Sequence, residues 1–226
     1  MLDPARLASV ADPWVRWDWV RSHGDDIGAA ARQHVELTAW AIGLGIAISA
    51  PLALAVVRWR RLWPPVLAVT GVVYTIPSLA LLALLVPYTG LSRTTALIAL
   101  VGYTLLILVR NTVAGLDGVP ADVREAAQAM GYTRRAQLVR VELPLAVPTI
   151  VAGVRIATVT TICLVTVTAV IGQGGLGAFI LEGLVRDFRT PLVVGSVLSV
   201  VLAVAADLAL LGVERLVTPW SRRERS

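Results

Sequence analysis

The stretch EAAQAMGYTRRAQLVRVELP, residues 125–144, lies near the middle of a 226-residue chain and differs sharply in composition from its surroundings. It is charged and rich in alanine, whereas 57% of the whole chain is hydrophobic and only 15% is charged. The mean hydropathy of +0.76 lies far outside the range of water-soluble domains. The chain is therefore an integral membrane protein, and this polar segment within it is a candidate functional region.

Five apolar stretches approach the length of about twenty residues that a membrane-spanning helix needs. They are residues 35–57, 66–86, 94–109, 147–171 and 191–213. The sequence thus predicts an all-α membrane protein that forms a single transmembrane domain over residues 1–226. Its aqueous parts are an extracytoplasmic or interfacial segment at 1–33, a cytoplasmic region at 117–144 and a cytoplasmic tail at 214–226.

The orientation of these spans follows from the positions of arginine. The loop RWRRLW, the central segment and the tail WSRRERS are all arginine-rich. Because loops rich in basic residues stay in the cytoplasm, these three regions are predicted to be cytoplasmic. Five spans then place the N-terminus outside and the C-terminus inside.

Helix start and stop signals divide the central segment into two helices. Pro120 suits a first helical turn, two acids follow it near the positive helix start, and Gly131 suits a left-handed stop. These signals predict a short helix over PADVREAAQAMG. Thr133 is then predicted to cap a second helix, which Pro144 ends before the next span.

Helical spacing gathers a small, nearly flat apolar face on the first of these helices. The face consists of Val123, Ala126, Ala127 and Met130, and it is flanked by the charges of Arg124 and Glu125. Such a face suits insertion into a groove on another protein, where small side chains permit close approach. The alternative is a loop helix that lies on the chain's own spans.

The spacing of this segment resembles the EAA signature of the permease subunits of ABC importers, E-A-A-x3-G-x9-I-x-L-P. The matching residues are Glu125, Ala126, Ala127, Gly131, Val141 in place of isoleucine, Leu143 and Pro144. The flanking stretches YTIPSLALLALLVPYTG and AVIGQGGLGAFILEGL look like the glycine betaine, carnitine and choline permeases of osmoprotectant importers. The resemblance extends from about residue 35 to about residue 211.

This resemblance implies a type I ABC importer built from two permease subunits, two cytoplasmic ATPases and a separate extracytoplasmic binding protein in a bacterial plasma membrane. ATP and magnesium would be bound by the ATPases, so this chain is expected to be non-catalytic and without a cofactor. A second copy or a sister permease would complete the pair. The first central helix would be the coupling helix, contacting an ATPase through Arg124, Glu125, Ala126, Ala127, Met130 and Gly131.

Two ionisable residues fall well inside predicted spans. Arg155 and Asp207 lie at similar depth from the cytoplasmic side, so they are able to pair. Three roles stay open on sequence grounds: a structural ion pair, separate satisfaction by backbone and by hydroxyls such as that of Thr158, and a gate in the pathway.

Four further residues are candidates for lining the pathway: Tyr74, Pro77, Tyr103 and Asn111. Pro77 lies at mid-membrane, where its missing N–H invites a kink that neighbouring groups must satisfy. The two tyrosines lie at comparable depth and would attract a quaternary ammonium ion. Ordinary helix packing is the alternative role for both rings.

Other functions are weaker on the same sequence. The motif GQGGLG lacks the lysine of a phosphate-binding loop and is better interpreted as a turn into a short outer helix. His23 and His34 are too isolated for a metal site, and no hydrolase triad converges. The remaining alternatives are a permease for methionine or polar amino acids, and a secondary transporter driven by an ion gradient.

Overall fold

The computed structural model describes residues 13–217, and all regular structure within that range is helical. The helices are α1 (Trp17–Ser22), α2 (Gly24–Arg58), α3 (Trp63–Thr75), α4 (Ser78–Thr89), α5 (Arg93–Asp117), α6 (Ala121–Ala129), α7 (Arg134–Gln137), α8 (Leu143–Val167), α9 (Gly177–Val185) and α10 (Arg189–Val217). The predicted all-α class is confirmed. Most of the predicted tail, residues 218–226, lies outside the described residues.

Four helical stretches are long and apolar enough to cross a membrane. They are α2, α5, the helical stretch Arg134–Ile171 that contains α8, and α10. A fifth span is possible if α3 and α4 together form one broken span, since they bend by 96° at their junction. The described part of the chain thus contains four spans, or five with the broken one.

The single helix predicted over residues 66–86 is corrected to two helices. Ile76 and Pro77 both adopt extended backbone conformations, with ψ of 127° and 133°. Proline lacks an N–H and disfavours helical geometry in the residue before it, so the helix stops instead of kinking. The sequence located the break correctly and underestimated its angle.

The fifth helix lies at the centre of the bundle, between α2 and α8. One buried cluster includes Leu37 of α2, Leu100 of α5 and Val165 of α8. Small residues let the helices approach, because a Cβ added at Gly153 of α8 would overlap Asn111 of α5. Helix α5 also runs further than the predicted span 94–109, ending at Asp117.

Pro144 does not end the second central helix, and that prediction is wrong. Helix α7 continues through a π-helical turn, Leu138–Glu142, directly into α8. Pro144 stands at the start of α8, immediately after the wider turn. A π turn shifts the hydrogen-bond register, which accommodates a residue that cannot donate. The chain therefore forms one continuous helix of 38 residues, Arg134–Ile171.

The glycine-rich turn after α8 packs tightly on α2. Gly172 and Gly175 have positive φ, and a Cβ added at Gly175 would lie 2.7 Å from His34 Cβ. The turn leads into α9, as the motif GQGGLG predicted. At this end of the bundle, Trp19 of α1 makes edge contacts with Phe179 and Phe188.

Candidate functional site

Helix α6 is closed by a complete Schellman motif. Gly131 takes φ of +79°, the Tyr132 N–H donates to the Ala127 carbonyl at 3.1 Å, and the Gly131 N–H donates to the Gln128 carbonyl at 2.9 Å. The Thr133 hydroxyl then accepts from the Ala136 N–H at 3.3 Å and caps α7. Glycine is required here because its left-handed conformation reverses the chain into the long helix.

The exposed face of α6 differs from the predicted one. Ala127 is only 1% exposed, and Val123 one turn before it is partly buried, so both pack on the chain itself. The exposed residues of α6 are Ala121, Asp122, Glu125, Ala126, Gln128 and Ala129, with Met130 following the helix end. Ala127 therefore lies on the inward face of α6 together with Val123, because residues four apart share one face of a helix.

Arg124 also turns inward. Its Nη2 donates to the Leu116 carbonyl at the end of α5, at 2.5 Å. Its Nε lies 3.6 Å from a Glu142 carboxylate oxygen, Oε1, which accepts a hydrogen bond from Gln137 at 2.8 Å. Arg124 thus anchors α6 to the spans.

The base of the bundle beside α6 is tied together by a further ion pair. Arg60, just after α2, donates through its two terminal guanidinium nitrogens, Nη1 and Nη2, to the carboxylate of Asp117, the last residue of α5. Both side chains are substantially exposed. The pair brings the arginine-rich loop after α2 to the same end of the molecule as α6.

The two tyrosines of the predicted pathway set lie together at the Pro77 break. Their ring centroids are 6.0 Å apart in an edge-on arrangement. The hydroxyl of Tyr103, which is 5% exposed, donates to the Ile76 carbonyl at 2.6 Å. Tyr74 is 39% exposed and presents its ring outward. Tyr103 satisfies the backbone of the break, and Tyr74 remains exposed beside it.

Asn111 is placed in a packed contact rather than beside an open cavity. Its amide nitrogen donates to the Ile107 carbonyl on its own helix at 2.8 Å. Its Cβ lies against the backbone of Gly153. The structure thus assigns this side chain to the crossing of α5 and α8.

Arg155 and Asp207 form a two-pronged ion pair between α8 and α10. The Arg155 Nε and Nη2 atoms donate to the two Asp207 carboxylate oxygens, each at 3.0 Å. A third nitrogen, Nη1, donates to Glu214 at 2.9 Å. Glu214 was missed because it was grouped with the tail, although its position seven residues after Asp207 places it on the same helix face.

The buried histidine is held by the backbone. His34 Nε2 lies 3.0 Å from the Ile162 carbonyl, so this nitrogen carries the proton. Within residues 13–217, no group of three or more His, Cys, Asp or Glu side chains is arranged to hold a metal ion.

The helical spans, the broken helix pair and the short exposed helix before the longest span define a membrane permease fold. The structure resembles two crystal forms of the inward-facing MetNI methionine ABC transporter. The TM-scores are 0.73 and 0.74 at 22% and 24% sequence identity. The matches cover 84% and 82% of this chain, and 94% and 93% of the transporter chains. The fold is that of an ABC importer permease.

Residues 41–219 match the family described as "Binding-protein-dependent transport system inner membrane component", and the chain belongs to this family. It is 34% identical to the glycine betaine/carnitine/choline transport system permease protein OpuCB of Bacillus subtilis, over 89% of this chain and 93% of that protein. It is 36% identical to the carnitine transport permease protein OpuCB of Listeria monocytogenes, over 90% and 94%. It is 38% identical to the osmoprotectant import permease protein OsmW of Salmonella typhimurium, over 83% and 89%.

The chain is accordingly a multi-pass bacterial membrane protein and the permease subunit of an ABC importer. Permeases of this family work with ATPase and substrate-binding partners. The suspected family is confirmed.

Proposed function

We propose that this permease carries a quaternary amine or related compatible solute, such as glycine betaine, choline or carnitine, into the cell. It does so as one of two permease subunits, with two ATPases and a separate extracytoplasmic binding protein. The names of its relatives support this cargo, since the two OpuCB proteins and OsmW are named as permeases for osmoprotectants, carnitine or choline.

The exposed face of α6 is the observation that carries the proposal. Its acidic and small side chains stand clear of the spans, and the Gly131 turn links it directly to the longest helix. A short helix with a flat face suits insertion into a groove on an ATPase. ATP binding would move α6, and the spans would switch between two packings that open to opposite sides. ATP hydrolysis would take place on the ATPases.

The proposed orientation places α6 in the cytoplasm, with the N-terminus outside and the C-terminus inside. The arginine-rich loop after α2 supports it, because Arg60 reaches Asp117 at the base of α5. The arginine-rich loop after α2 and the basic region around α6 therefore lie at the same end of the bundle, as the positive-inside rule requires of cytoplasmic segments.

Uptake by reconstituted proteoliposomes tests the proposal. The permease is assembled with an ATPase, a partner permease and a binding protein from the same organism, and labelled glycine betaine, choline, carnitine and methionine are supplied outside. We expect ATP-dependent accumulation of at least one of the first three solutes and none of methionine. Methionine uptake alone would overturn the cargo, and uptake driven by an ion gradient without ATP would overturn the importer class.

A further inference from the structure

Helix α10 is anchored to the rest of the chain by two different devices. Its buried residues are Thr190, Pro191, Gly195 and Ser199, all in its first half. At Gly195 the backbone packs so closely on α9 that an added Cβ would lie 2.7 Å from the Leu176 carbonyl oxygen. Beyond Ser199 no described residue of α10 is buried. The second half is thus packed less closely on the chain than the first.

An apolar groove of about 300 Å³ runs beside the second half of α10. It is bordered by Thr38 of α2, Thr158 of α8 and Ala206 and Leu210 of α10. Such a gap forfeits much of the dispersion attraction between the helices. Apolar contact alone therefore leaves this part of α10 weakly attached.

Arg155 bridges the two helices at this level. It contacts Asp207 through two parallel hydrogen bonds and Glu214 through a third, so one side chain grips two successive turns of α10. A guanidinium bound in this forked way fixes orientation as well as distance. The Arg155 side chain is 23% exposed, compared with 54% for Arg60 in the ion pair with Asp117.

The helix that carries Arg155 is continuous with the segment next to α6. Arg155 lies 21 residues after Arg134 on one unbroken helix, about 30 Å along its axis. A tilt imposed at the start of this helix is therefore transmitted towards Arg155 along one helical stretch, through the π turn at Leu138–Glu142. Within the part of the chain that the structure describes, α10 has no comparable direct connection to α6.

We propose that Arg155 is a positioning residue that couples α10 to the ATPase-driven movement of α8. Through Asp207 and Glu214 it makes the second half of α10 follow α8, so that both spans rearrange together in each transport cycle. This role rests on the proposed function, because it needs an ATPase acting through α6.

The ratio of solute transported to ATP hydrolysed tests this role in the assembled importer. For Arg155→Gln we expect that ratio to fall about tenfold while the binding protein still stimulates ATP hydrolysis. Arg155→Lys keeps the positive charge but cannot form the two parallel guanidinium hydrogen bonds, and should give an intermediate ratio. The matched control is Arg93→Gln, which removes an exposed pair with Glu36 and should leave the ratio unchanged. An unchanged ratio in Arg155→Gln would overturn the proposal.

A distance measurement separates coupled movement from simple stability. Spin labels at the exposed positions Val139 and Leu216 report on the two helices, in a Cys163→Ser background. In the wild-type importer the label distance should stay the same with and without ATP, and in Arg155→Gln it should change or broaden. If Arg155→Gln does not assemble, Glu214→Gln replaces it, with a smaller expected effect. If the label distance in Arg155→Gln is as narrow and constant as in the wild type, the proposed coupling of α10 to α8 is contradicted.

These experiments distinguish a failure of the proposed function from a failure of the proposed role of Arg155. If the wild-type complex shows no ATP-driven uptake, the proposed function fails. If the wild type transports solute, and the Arg155 variants keep both the wild-type ratio of solute transported to ATP hydrolysed and the wild-type label distance, only the proposed role of Arg155 fails.

Discussion

At the scale of single residues, Tyr103 shows how a broken span is stabilised inside a membrane. A helix break leaves backbone carbonyls without partners, and each unsatisfied group in an apolar environment is costly. The Tyr103 hydroxyl donates to the Ile76 carbonyl and removes that cost at the break. Tyr74 packs against the same ring, but no hydrogen bond of its hydroxyl is found among the described residues.

Removing the Tyr103 hydroxyl should therefore matter more than removing that of Tyr74. We expect Tyr103→Phe to lower the free energy of unfolding by about 1–3 kcal/mol, because the Ile76 carbonyl loses its donor. Tyr74→Phe is the matched control and should be neutral. Thermal midpoints of the two purified variants in the same detergent decide between them, and equal midpoints would contradict this role of Tyr103.

The sequence predicted some of these residues well and others poorly. It placed Tyr74 and Tyr103 at the same depth because span lengths fix depth. It could not assign Ala127 to the inward face of α6, since both sides of that helix carry alanine. Burial against neighbouring spans, which no local pattern records, made the choice.

At the scale of elements, the Gly131 turn sets the direction in which the chain passes from α6 into the long helix that follows. Its φ of +79° lies in the region that disfavours side chains with a Cβ. The two hydrogen bonds of the motif close α6 only if that conformation is kept.

Gly131→Ala should destabilise this turn by about 1–2 kcal/mol, because alanine resists the left-handed conformation. Gly43→Ala in the interior of α2 is the control, since a Cβ added there meets nothing within 4 Å. We expect less ATPase to co-purify with Gly131→Ala and the normal amount with Gly43→Ala. Equal recovery of ATPase would show that the turn does not position α6.

Turn signals and prolines had unequal predictive value at this scale. Gly131 and Thr133 act locally, so their roles could be predicted from the sequence. Pro144 misled the prediction, because a π turn whose formation depends on the surrounding packing lets the helix continue through it. Pro77 marked a real break, but the sequence did not predict its 96° bend.

At the scale of the whole molecule, α5 is the element on which α2, α3, α4 and α8 pack, whereas α10 packs on α8 and α9. Its crossing with α8 depends on Gly153, which leaves just enough room for Asn111. The span positions could be predicted from hydropathy, whereas these crossings could not, because they depend on which small residues face each other. Glu214 shows the same limit, since its partner Arg155 lies 59 residues away.

Gly153→Ala should push α5 and α8 apart. We expect a loss of about 1–3 kcal/mol in the free energy of unfolding, as for other overpacked cores. Gly71→Ala in α3 provides the control, because an added Cβ there meets nothing within 4 Å. Denaturant midpoints in detergent should fall only for Gly153→Ala, and a fall of the same size for both would contradict the packing.

Cross-linking along α6 shows whether its exposed face contacts the ATPase. Single cysteines replace Ala126, Ala127 or Ala129 in a Cys163→Ser background, and the assembled importer is treated with a short thiol cross-linker or photo-reactive maleimide. We predict cross-links to the ATPase from Ala126→Cys and Ala129→Cys, and little or none from the buried Ala127→Cys. Equal yield from Ala127→Cys, or no cross-link from any of the three while the ATPase stays bound, would contradict the account.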